Sequence, residues 1–200
     1  MTPIKLSSFQ NGWYSPGRPR WQQAAWYFLG LPLLRCAFIP SSGFRAALLR
    51  LFGARVGAGV VIKPGVRVKY PWRLEIGGNS WIGEDCWIDN MADVSIGHDA
   101  CLSQDSYFCT GNHDWSDPSF GLIVRPIRVE DGAWIGARAT VCPGIMIGEC
   151  AVLAAGGVAV RDIPAYEIHG GNPAAFLRHR EIRTGLTGSL LATTFRRAEE

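Results

Sequence analysis

The sequence predicts an all-β fold: a parallel β-helix of about five coils, with a helical cap before it and a short helix after it. Three observations predict it. A large apolar residue recurs every six positions from Val56 onward. Glycine follows that residue directly at positions 57, 77, 83, 97, 136 and 148. Extra residues enter at only one place in each cycle of three hexapeptides.

The recurrent positions group in threes: Val56, Ile62 and Val68; Ile76, Ile82 and Ile88; Ile96, Leu102 and Phe108; Val129, Ile135 and Val141; Ile147, Leu153 and Ala159. A second, smaller apolar set trails them by four positions, including Val60, Val66, Cys86, Ala100, Ala139 and Ala151. A helix cannot carry glycine at this frequency, because each helical glycine costs about 1 kcal/mol. Six residues are three strand steps, so a short strand, a turn and another short strand fit the period. The glycine is expected to supply the turn geometry that a side chain resists. Three such units close one triangular coil, and stacked coils share one core. Successive coils start 20, 20, 33 and 18 residues apart, so each excess over 18 follows the third hexapeptide. Those insertions are loops on one edge of a prism. An irregular β-sandwich has no reason to hold phase over five cycles.

Composition excludes several classes. Among 200 residues, 48% are hydrophobic and 18% charged, which argues against overall disorder. The net charge of +3, with basic residues not massed on one stretch, disfavours a nucleic-acid groove. Six cysteines without a Cys-x-x-Cys pair, behind a start unlike a signal peptide, read as reduced thiols of a cytoplasmic protein, with no metal site. The stretch from Ala24 to Ile39 contains Pro32 and Arg35 and falls short of the roughly 20 residues of a membrane span.

The chain divides into an arm and cap (1–55), the repeat (56–164) and a C-terminal segment (165–200). Residues 1–17 read as an extended arm. Residues 18–39 and 43–52 read as two helices broken by Pro40-Ser41-Ser42-Gly43. Two readings fit the first of them. It shields the open end of the β-helix, or it docks on the inner membrane surface, where Arg18, Arg20, Arg35, Arg45 and Arg50 would meet anionic headgroups. After Pro164 a last irregular strand or loop is expected over 165–172, then a helix from Pro173 to Arg183 with proline in its first turn. The polar tail from Thr184 onward reads as mobile.

The longest insertion, 111–126, is the expected seat of chemistry, because long loops on rigid scaffolds carry function. It holds His113 between Asn112 and Asp114. Imidazole titrates near neutrality and suits proton removal from a hydroxyl. His98 and His179 read as solvated surface residues, while His169 precedes a Gly-Gly pair and is a lesser site candidate. Cys109 is the rival nucleophile, but it lacks an obvious activating partner. One coil earlier, Trp81, Trp87, Asp89 and Asn90 combine aromatic faces with a carboxylate and an amide, a set suited to a sugar. Trp115 in the loop would close over it. Asp89 reads equally as a turn carboxylate.

The segments Ile82-Gly-Glu-Asp-Cys-Trp and Ile135-Gly-Ala-Arg-Ala-Thr-Val-Cys-Pro-Gly-Ile-Met-Ile-Gly resemble the hexapeptide-repeat acyltransferases. Arg50-Leu-Phe-Gly-Ala-Arg-Val-Gly, Pro71-Trp-Arg-Leu, Thr110-Gly-Asn-His-Asp-Trp and Gly170-Gly-Asn-Pro-Ala narrow the resemblance to the colanic-acid and exopolysaccharide O-acetyltransferases, relatives of the galactoside and maltose enzymes. The resemblance implies a left-handed β-helix, a homotrimer, and acetyl-CoA bound between neighbouring prisms. It implies His113 as general base for acetyl transfer to a sugar hydroxyl, with direct attack and no acyl-enzyme. It places cofactor contacts at Ala137, Ala155, Val160, Arg161 and Arg178. Small residues there give a flat wall, and both arginines can meet phosphate, although ordinary surface charge also explains them. Relatives often carry Thr-Lys where this chain has Val160-Arg161. An asparagine that holds the acceptor in galactoside acetyltransferases aligns with Gly83. The remaining readings are acetylation of another small molecule, a non-catalytic scaffold, and a metalloenzyme of the γ-carbonic-anhydrase type. The last needs three convergent imidazoles.

Overall fold

A computed structural model describes residues 3–182. The hexapeptides form three parallel sheets, here A, B and C. Sheet A stacks Arg55–Val56, Leu74–Ile76, Val94–Ile96, Ile127–Val129 and Met146–Ile147. Sheet B stacks the strands that begin at Val61, Trp81, Cys101, Trp134, Val152 and Glu167. Sheet C stacks those that begin at Arg67, Trp87, Tyr107, Thr140 and Val158. Equivalent residues pair across coils, such as Ile76 with Ile96 and Ile135 with Leu153. Every recurrent apolar residue from Ile62 to Ala159 is buried, and Val56 packs half-buried at the capped end. The five expected coils gain a partial sixth, because Ile163 bridges to Ile147 and Glu167–Gly170 joins sheet B.

The glycines after the core residues have a different cause from the one expected. Their φ angles are ordinary, and left-handed backbone falls two residues later, on Asn79, Asp85, Asp99 and Arg138 among others. What excludes a side chain is the next coil. A Cβ on Gly83 would lie 2.6 Å from the Gln104 nitrogen and the Ser103 carbonyl carbon.

The C-terminal helix expected from Pro173 does not form. Glu167–Gly170 turns through Gly171 into Ala175–His179, which pairs antiparallel with it. The outermost strand of sheet B would otherwise leave a row of backbone groups unpaired, and the hairpin satisfies them. Arg180 then donates from Nη1 to the Gly132 and Cys150 carbonyls and clamps the hairpin to the prism. The tail expected to be mobile from Thr184 lies outside the described residues.

At the other end, α1 (Arg20–Ala25) continues through a π-turn, Trp26–Gly30, into α2 (Leu31–Arg35), and α3 (Ser42–Leu51) follows. Ser41 caps α3 by accepting from the Phe44 N–H. Trp26 is the pin of the cap: its Nε1 donates to the Val68 carbonyl at 2.9 Å, and its ring packs on Phe52 and over Gly30. Two of the five arginines proposed for headgroups are structural instead. Arg45 is buried and donates to the carbonyls of Leu34, Cys36, Ile39 and Ser41, which closes the loop between helices. Arg50 donates to the Val56 and Gly57 carbonyls.

The arm before α1 is tied down, and its extended course is interrupted by a single 3-10 turn at Leu6–Ser8. Trp72 Nε1 donates to the Pro16 carbonyl at 2.7 Å, Arg73 Nη2 to that of Ser15 at 2.6 Å, and the Tyr14 hydroxyl to that of Met91 at 2.9 Å. The Lys5 N–H reaches the Pro118 carbonyl at 2.9 Å. The arm therefore runs up the edge between sheets C and A to the long insertion.

Candidate active site

All insertions lie on that C–A edge, as the spacing requires. The longest is a β-hairpin, Gly111–His113 against Leu122–Val124, with His113 opposite Leu122. Buried Thr110 anchors its base: Oγ1 donates to the Asp89 carbonyl and accepts from the Ala92 N–H, at 2.9 and 3.0 Å. The tip is set by two aspartates. Asp114 accepts from the N–H and hydroxyl of Ser116, which hold its carboxyl below the usual range. Asp117 accepts from both donors of Ser119. These turns place Phe120 in the left-handed region with its carbonyl aimed back at the histidine.

The His113 Nδ1 lies 2.9 Å from the Phe120 carbonyl oxygen. A carbonyl only accepts, so Nδ1 carries a hydrogen, and in the neutral ring the lone pair lies on Nε2. The Phe120 ring stacks on the imidazole at 4.3 Å and 9°, and Phe9 from the arm meets it at 5.4 Å and 59°. Asp114 shapes the turn rather than holding the ring. The other three histidines are engaged elsewhere or exposed. His98 Nδ1 accepts from the Gly78 N–H, His169 Nε2 pairs with Glu167, and His179 lies exposed beside Phe176. Cys109 donates its S–H to the Gly111 carbonyl at 3.0 Å.

The acceptor candidates separate. Trp87 and Asp89 line an open cavity of about 520 Å³ between sheet C and the cap, bordered by Tyr27 and Phe28. Trp87 lies under the Arg67 guanidinium and against Tyr107, and Asp89 pairs with Lys69 at 2.8 Å. Asn90 faces the interior instead. Its oxygen accepts from the Tyr70 N–H, and its nitrogen donates to the Tyr70 and Arg73 carbonyls, so it braces the edge loop. Trp115 is 80% exposed at the hairpin tip. Trp81 is exposed on sheet B. At Gly83 the adjacent coil leaves no room for a side chain, so no acceptor contact can come from that position.

The cofactor candidates also fall into two sets. Ala137, Ala155 and Arg178 line one groove of about 510 Å³ at the B–C edge. Its floor is Gly136 and Ala154, and the Gly156 N–H donates to the Ala137 carbonyl. Val160 and Arg161 follow the last sheet C strand, exposed on the C–A edge that carries His113. Four neighbours escaped sequence reasoning. Trp134 lines the groove with Nε1 donating to Ser103 Oγ, and Arg180 lines it beside Arg178. Trp134 precedes a core isoleucine exactly as far as Trp81 does, so the period itself marks it as outward-facing. No sequence signal joins Phe9 or Phe120 to His113.

No family model matches the chain. It is 39% identical over 137 residues to an Escherichia coli protein that carries the name colanic acid biosynthesis acetyltransferase WcaF, covering 68% of this chain and 75% of that one. The hexapeptide-repeat-containing acetyltransferase VCA0836 of Vibrio cholerae matches the fold with a TM-score of 0.74 at 24% identity, over 80% of this chain and 92% of that one. A maltose O-acetyltransferase of Clostridium difficile gives 0.72 at 25% identity, over 80% and 87%. With stacked hexapeptides, a histidine hairpin on one edge and this identity to WcaF, the chain belongs to the WcaF-like family of hexapeptide-repeat acetyltransferases.

Proposed function

We propose that the protein transfers an acetyl group from acetyl-CoA to a sugar hydroxyl of an exopolysaccharide building block, with His113 as general base. The observation that carries this reading is the bond from Nδ1 to the Phe120 carbonyl, which makes Nε2 the acceptor of the neutral ring. Nε2 takes the hydroxyl proton as the oxygen attacks the thioester carbonyl. The C–S bond then breaks, and the same nitrogen returns the proton to the departing sulfur. The WcaF name and the maltose enzyme support a sugar acceptor, and VCA0836 has been solved with acetyl-coenzyme A.

The small-residue groove suits a pantetheine chain, with Arg178 set for phosphate. It lies on the B–C edge, whereas His113, Val160 and Arg161 lie on the C–A edge. A complete site therefore takes two edges from two copies, and a closed threefold ring of prisms supplies them. Asp89 and Trp87 are the acceptor contacts in this reading.

The test is thiol release from acetyl-CoA against a panel of sugars and glycans. The wild type turns over at least one of them, and His113→Ala loses roughly a hundredfold or more in kcat while its circular dichroism is unchanged. Equal rates from the two proteins would remove His113 from the chemistry.

A further inference from the structure

The overall charge of +3 conceals a division. The first 74 residues hold eleven of the 20 lysines and arginines and none of the 17 aspartates and glutamates; the first acidic residue is Glu75. This wholly cationic stretch is the arm, the cap and the first coil. Within it, no residue from 21 to 34 is charged. The helix these residues form has an inner face, Trp26, Gly30 and Leu34 at i, i+4 and i+8, which is buried. Its outer face should then be polar if it met only water. It is not: Trp21, Phe28 and Leu29 are 72%, 70% and 64% exposed, and Phe38 just beyond is 96% exposed. Exposed Arg18 and Arg20 stand at one end of this face and Arg35 at the other. Glu84 and Asp85 bound it, on the far wall of the groove beside Phe38. Among the described residues no helix is long and apolar enough to cross a bilayer.

We propose that this face of the cap binds the surface of an anionic lipid bilayer, lying in the plane of the headgroups. Trp21, Phe28, Leu29 and Phe38 enter the boundary between headgroups and acyl chains, where aromatic side chains are favoured. Arg18, Arg20 and Arg35 meet the lipid phosphates. The arginines at the two ends of the face complement anionic headgroups, and a symmetric pairing of two copies through this face would bring like charges together. The cavity holding Trp87 and Asp89 shares Tyr27 and Phe28 with this face, so docking sets that cavity beside the headgroup layer. The membrane contact itself does not depend on the acetyl-transfer reading.

The experiment is co-sedimentation of the full chain with vesicles of equal parts phosphatidylglycerol and phosphatidylcholine, and with vesicles of phosphatidylcholine alone. The protein should pellet with the anionic vesicles and be released by salt. The variant Trp21→Ser/Phe28→Ser/Leu29→Ser should lose roughly tenfold or more of that partitioning, with its melting curve intact. A second variant, Arg18→Glu/Arg20→Glu/Arg35→Glu, keeps the apolar residues and should lose the preference for anionic vesicles. Failure of the wild type to pellet with anionic vesicles at low salt overturns the proposal. So does binding that neither variant weakens. A change of assembly mass in the serine variant, from a wild type that ignores vesicles, assigns the face to contact between copies.

Discussion

Phe9→Ala tests whether the N-terminal arm takes part in holding His113, the proposed general base. Three contacts fix the His113 ring: the Phe120 carbonyl at 2.9 Å, the Phe120 ring stacked at 4.3 Å, and Phe9 at 5.4 Å. The substitution removes only the third. An aromatic pair contributes about 0.5–1.5 kcal/mol beyond the area it buries. If that energy serves to keep Nε2 aimed at the acceptor, its loss lowers kcat roughly twofold to tenfold, since about 1.4 kcal/mol is a decade of rate. Thiol release from acetyl-CoA at saturating acceptor measures it. Two controls separate positioning from general damage. Phe9→Tyr keeps the ring and should retain most of the rate. In the His113→Ala background, Phe9→Ala should cost nothing more, because the group it positions is gone. The same fractional loss in both backgrounds would show that Phe9 acts through substrate binding or stability, and the arm would have no catalytic meaning.

Three further outcomes follow from the coils and the groove. Gly83→Ala drives a Cβ to within 2.6 Å of backbone that the stacked coil cannot move, so it should destabilise the fold by about 1–3 kcal/mol in urea unfolding. Burial raises the Cys86 thiol to about 12, so iodoacetamide at about pH 8 should leave Cys86 unlabelled in the native protein by mass spectrometry. Labelling there below the unfolding transition would mean that the lower coils open. Arg178→Ala should raise the KM for acetyl-CoA roughly tenfold with kcat retained, the signature of lost ground-state contact to phosphate; an unchanged KM would detach the B–C groove from the cofactor.

How far the sequence reached depends on whether a residue's neighbours lie at a fixed phase or at an arbitrary distance. The core residues, the small residues at the corners and the single edge that carries every insertion are all set by the period, so the sequence alone places Ile62 to Ala159. The period also brings Ala137 and Ala155 to one edge and sends Val160 and Arg161 to another. The cause of the glycines was not legible in the same way. A left-handed turn and a close neighbouring coil leave the same letter, and only the packing at Gly83 distinguishes them. The errors concentrate where the contact runs outside the repeat. Asn90 looks like a sugar ligand in sequence, yet the edge loop at Tyr70–Arg73 consumes its whole amide. Arg45 looks like a surface cation, yet four carbonyls of a closing loop surround it. The C-terminal helix yields to a hairpin because the outer strand of sheet B needs a partner, a demand that no local propensity expresses. Most telling is His113 itself. Its position follows from the insertion, but its tautomer follows from a carbonyl seven residues on, turned inward by the Asp114 and Asp117 turns. The repeat therefore determines where a reactive group can stand, and the irregular segments determine which of its nitrogens faces outward.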